Sequence, residues 1–76
     1  FKLALAIDEA AYGREHTSVA RTLTNMGIVL RQQGRLGEAM ERYERALAID
    51  EAAYGREHTS VAGTLTNMGD VLRQQL

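Results

Sequence analysis

The sequence predicts an all-α fold built from repeated helix pairs, and three observations carry that prediction. Shifting the chain by 42 residues aligns 4–34 with 46–76, and of those 31 pairs only 21/63, 28/70 and 34/76 differ. Within one period the apolar residues recur at helical spacing. Val19, Leu23, Met26, Gly27 and Leu30 form one stripe; Ala39, Tyr43, Ala46, Leu47 and Ala53 form another. Proline is absent from the chain and β-branched residues form no run longer than the pair Ile28-Val29, so strands have no support.

The elements follow in order. Residues 1–12 read as a truncated second helix of a repeat. A first helix over 17–33 should open at His16-Thr17-Ser18, where a hydroxyl can accept an otherwise unpaired amide hydrogen. It should close at Gly34, which suits the left-handed residue just past a helix end. Gly34-Arg35-Leu36-Gly37 then forms a tight turn. A whole second helix spans 38–54 and stops at Gly55, with Glu38/Arg42 and Glu41/Arg45 spaced to pair on its wet face. The last element, 59–75, repeats the first helix. These stacked pairs make 1–76 a single helical-repeat unit.

Length and charge exclude several functions. A chain of 76 residues is one domain at most and hides only roughly 60 % of its unfolded surface, so each unit leans on its neighbours. There is no cysteine, hence neither a disulfide framework nor a thiolate metal site, and a cytoplasmic location is expected. Nine basic and ten acidic residues are interspersed, so no basic stripe marks nucleic acid or an anionic membrane as a partner. The apolar cluster Leu3-Ala4-Leu5-Ala6-Ile7 is far too short to span a bilayer, and it lacks signal-peptide flanks.

Candidate chemistry is sparse. His16 and His58 recur once per repeat, but helices in a stack lie roughly 8–10 Å apart, too far for both to reach one zinc at about 2 Å. A triad drawn from Ser18, His16 and Asp8 or Glu9 has no pocket and no oxyanion donors, and every member is duplicated in the other repeat. Phosphate-cradling glycine motifs are absent. Neither enzymatic activity nor a cofactor is expected. Tyr12, Tyr54, Met26, Met40 and Met68 stand beside alanines at helical spacing and read as packing residues.

Leu23-x2-Met26-Gly27-x2-Leu30, followed by Ala39-x3-Tyr43 and Ala46, resembles the tetratricopeptide repeat signature along the whole chain. The period of 42 and the passage Gly13-Arg14-Glu15-His16-x2-Val19-Ala20 are similar to the longer, kinesin light chain type of that repeat. The family often has proline where this chain has Thr17 and Thr59, and Leu3 stands where the second copy has Arg45. The resemblance implies antiparallel helix hairpins stacked as a right-handed superhelix, an α-solenoid, that binds a protein or peptide segment in its concave groove. It places Arg21, Thr24, Asn25, Ile28, Arg31 and Gln32 in that groove. From the next repeat it adds Gly63, Thr66, Asn67, Asp70, Arg73 and Gln74. Asn25 and Asn67 match the asparagines that such repeats offer to a peptide backbone. Arg21, Arg31 and Arg73 are candidates to clamp a carboxylate, although solvated arginines are equally common.

Residues 21, 24, 28 and 31 step by 3, 4 and 3 and so share one helix face, largely opposed to Leu23, Met26 and Leu30. Two of the three repeat differences, Arg21/Gly63 and Ile28/Asp70, fall on that face. Packing positions must repeat, whereas groove positions are free to differ. The leading expectation is therefore a protein-interaction scaffold. The alternative is self-association: with a truncated helix at 1–12 and an unpartnered helix at 59–75, copies can stack head to tail or exchange helices.

Overall fold

The computed structural model describes residues 2–12 and 16–76, apart from the side chains of Asp8, Ala11 and Tyr12. The expected lead-in at 13–15 and the packing role of Tyr12 lie outside the described residues. Among those described, four helices and no strands occur: α1 (Lys2–Tyr12), α2 (Thr17–Gln32), α3 (Leu36–Tyr54) and α4 (Thr59–Gln75). Their Cα trace fills a slab 37 × 30 × 13 Å.

The start of α2 differs from expectation in its chemistry. The cap is His16, whose extended backbone (φ −77°, ψ 148°) turns its Nδ1 to accept the Ser18 amide at 3.0 Å. A histidine nitrogen takes the place expected for a hydroxyl because it satisfies the same orphan donor. His58 repeats the arrangement on Ser60 at 3.1 Å. At the far end of α2, Gly34 adopts φ +79° and its amide donates to the Arg31 carbonyl at 2.9 Å. The Arg35 amide donates to the Leu30 carbonyl at 2.8 Å, completing a Schellman closure.

That closure lets α3 begin at Leu36, two residues before the expected start. The Ala39 amide already donates to the Arg35 carbonyl at 3.0 Å. The charge pairs also differ. Glu38 turns back to Arg35 at 2.6 Å, and Arg45 reaches Glu9 at 2.7 Å, tying α3 to α1. A carboxylate in the first turn suits the helix dipole, and the cross-helix pair is available only once the repeats stack. Gly55 ends α3 at φ +87°, ψ 168°, a region that only glycine enters without strain.

Packing concentrates in two clusters. Val19, Ala20, Leu23 and Met26 of α2 close on Ala46 and Ile49 of α3, with Leu5 of α1 against them. Ala39 and Tyr43 of α3 close on Val71 of α4, joined by the half-buried Ile28, Leu30, Leu36, Met40 and Met68. Ala53, expected on the buried stripe, is exposed, and Ile49 and Asp50 are buried in its stead. Gly27 permits the tight α2–α3 approach: a Cβ there would sit 2.5 Å from the Tyr43 ring.

Candidate functional site

The first helices of the two repeats, α2 and α4, stand side by side with α3 behind them. Toward their C-terminal halves they draw together over Tyr43 and Val71. Their N-terminal halves border a cavity of about 370 Å3. Thr17, Ser18, Arg21, Thr24 and Asn25 line it from α2; Ser60, Gly63, Thr64 and Asn67 line it from α4; Asp50 and Tyr54 of α3 complete it.

Of the residues predicted from sequence, Arg21, Thr24, Asn25, Gly63 and Asn67 meet in this cavity. The other seven do not line it. Ile28 is half-buried against the Ala39, Tyr43 and Val71 cluster, so it is a packing residue rather than an open groove position. Asp70 pairs with Arg73 one turn away on α4. Arg31 and Asp70 both lie near the Tyr43 hydroxyl. Burial pushes that hydroxyl up from its ordinary pKa, the Arg31 guanidinium opposes the shift, and the Asp70 carboxylate adds to it. Gln32 and Gln74 are exposed on the last turns of their helices. Thr66 is exposed and donates its hydroxyl to the Ala62 carbonyl at 3.0 Å, as Thr24 does to Ala20.

The cavity also holds side chains that the sequence reading passed over. Tyr54, expected to pack between repeats, is instead an exposed ring stacked on His58, with centroids 4.1 Å apart and planes 17° from parallel. Asp50 is only 7 % exposed, and among the described residues no hydrogen bond or ion pair holds it. Burial raises its carboxyl above the usual range, and the charge of His58 pulls the other way. A signal for Asp50 was present in the sequence: Ala39, Tyr43, Ala46 and Asp50 step by 4, 3 and 4, so an acid stands on the buried stripe of α3.

Gly63 faces open space, with no atom within 4 Å of where a Cβ would lie. It opens the wall of the cavity where Arg21 stands in the preceding repeat. Among the described residues no three His, Cys, Asp or Glu side chains converge to hold a metal ion, and no helix is long and apolar enough to cross a membrane. What the cavity offers is a row of hydroxyls and amides beside one buried carboxylate, which is chemistry for recognition by hydrogen bonding.

A family model described as tetratricopeptide repeat matches residues 1–52. No curated protein matches the chain.

Proposed function

The chain belongs to the tetratricopeptide repeat family, whose repeats are generally protein–protein interaction modules and typically non-enzymatic scaffolds, and from that premise we propose that it binds a peptide segment of a partner protein between α2 and α4. In this reading 1–76 is part of a right-handed array of the kinesin light chain type and works in the cytoplasm. The observation that carries the proposal is the cavity itself, to which both repeats contribute the matching pair Asn25 and Asn67. A side-chain amide both donates and accepts, so two of them a repeat apart can hold the alternating N–H and C=O groups of an extended chain. Changing Asn25 and Asn67 together to alanine should weaken capture of a peptide selected from a random library by about tenfold or more, with helicity unchanged. Undiminished capture would remove the asparagines from the site.

A second reading, self-association, has its own observation. On α4 Leu65 is 51 % exposed, although its equivalent Leu23 is fully buried under α3. On α1 Ile7 is 57 % exposed, whereas its equivalent Ile49 is 2 % exposed in the same cluster. The α4 face of one copy and the α1 face of another thus carry the residue types that already pack together as α2 and α3. Such a contact is heterologous and propagates rather than closes.

A further inference from the structure

A buried carboxylate is stable only when a cation or several donors compensate it, because removing the charge from water is costly. Among the described residues Asp50 has no ion pair and no hydrogen bond, and it lines the cavity. His58, the basic group that opposes its shift, has its Nδ1 committed as acceptor to the Ser60 amide. Arg21 shares the cavity, but its side chain is exposed and forms no ion pair with Asp50. A metal ion is a poor substitute, since no three His, Cys, Asp or Glu side chains gather among the described residues. An organic cation bringing its own N–H donors fits better, because the hydroxyls of Ser60, Thr24 and Thr64 and the amide of Asn67 can accept its remaining hydrogens.

The difference between the repeats points the same way. Were position 63 an arginine like position 21, the cavity wall would carry a second guanidinium beside Asp50. Glycine there removes that charge and leaves open space. We propose that Asp50 anchors a basic side chain, lysine or arginine, of a peptide lying between α2 and α4, with Gly63 as the opening through which it enters. The inference rests on the groove reading above and names the ligand chemistry that the groove selects.

The test uses four capped pentapeptides, acetyl-Gly-Ser-X-Ser-Gly-amide with X as lysine, arginine, norleucine or glutamate, titrated into the isotopically labelled chain while backbone amides are followed by NMR. The lysine and arginine peptides should shift the amides of residues 17–25 and 60–67 and bind about tenfold more tightly than the other two. Comparing lysine with arginine separates ammonium from guanidinium recognition. Asp50→Asn should bring the four peptides to similar affinities. Gly63→Arg, which replaces glycine by a better helix former, should keep the fold and abolish binding. Equal binding of all four peptides to the original chain, sensitive to Asn25 and Asn67, would overturn the role of Asp50 and leave the groove standing. A basic preference that survives Asp50→Asn would also overturn it. If none of the peptides shifts those amides, the groove reading falls as well.

Discussion

His16 and Asp50 illustrate how much a single side chain decides here. The imidazole at position 16 spends its Nδ1 on the Ser18 amide, as His58 does on Ser60, so the histidine that begins each first helix is a structural cap. Asp50 is the opposite case, an ionisable group that the fold holds without a partner among the described residues. Its raised carboxyl pKa has a thermodynamic sign. The folded chain keeps a proton at pH values where the unfolded chain has released it, so stability is greatest below the ordinary aspartate value and declines as pH rises from about 4 through the raised value. The groups that can modify this are His58, which opposes the shift, and Arg21, which lines the same cavity. Denaturation midpoints measured across pH 3.5–7, a window of roughly the span of such shifts, should fall more steeply with pH for the original chain than for Asp50→Asn. Parallel curves would show that the carboxylate is adequately solvated in the folded chain.

At the scale of the element, identical sequences meet different surroundings. The stretch Leu-Thr-Asn-Met-Gly occurs in α2 and again in α4, ending at Gly27 and Gly69. A Cβ on Gly27 would collide with the Tyr43 ring, but on Gly69 it would meet nothing within 4 Å. Gly27→Ala should therefore cost about 1–3 kcal/mol through overpacking, whereas Gly69→Ala should gain up to about 1 kcal/mol from helix propensity. Chemical denaturation of both variants decides it, and equal effects would mean that Tyr43 does not hold α2 and α3 at this separation. Ile28 and Asp70 teach the same lesson. A step of seven residues puts Arg21 and Ile28 on one helix side, yet Ile28 packs against a cluster that includes Val71 of α4.

Over the whole molecule, the distribution of exposed apolar surface is uneven. Val19, Leu23 and Met26 are buried between α2 and α3, while Leu65 and Leu72 of α4 are more than half exposed. An apolar helix face of this kind associates with a matching one, and α1 carries the matching residues. Sedimentation velocity should show a mass that grows with concentration, and replacing Leu65 and Leu72 by lysine should hold the chain as a monomer. A monomer at every concentration of the unaltered chain would exclude self-association. The scaffold reading does not depend on that result, since its cavity lies within one copy.

The helical class, the repeat and the approximate span of each helix were legible in the sequence because they follow from local spacing. Apolar residues every three or four positions, a glycine after α2 and another after α3, and the absence of proline act within a few residues of one another. The family resemblance was legible for the same reason, and the match over residues 1–52 agrees with it. Tertiary structure alone decided which half of the α2–α4 face stays open. It closed the side at Ile28 with α4, directed Arg45 to Glu9 of α1 and stacked Tyr54 on His58. It also placed Asp50 in the cavity wall, because the crossing of helices distant in sequence sets which residues of a stripe are covered and which remain reachable.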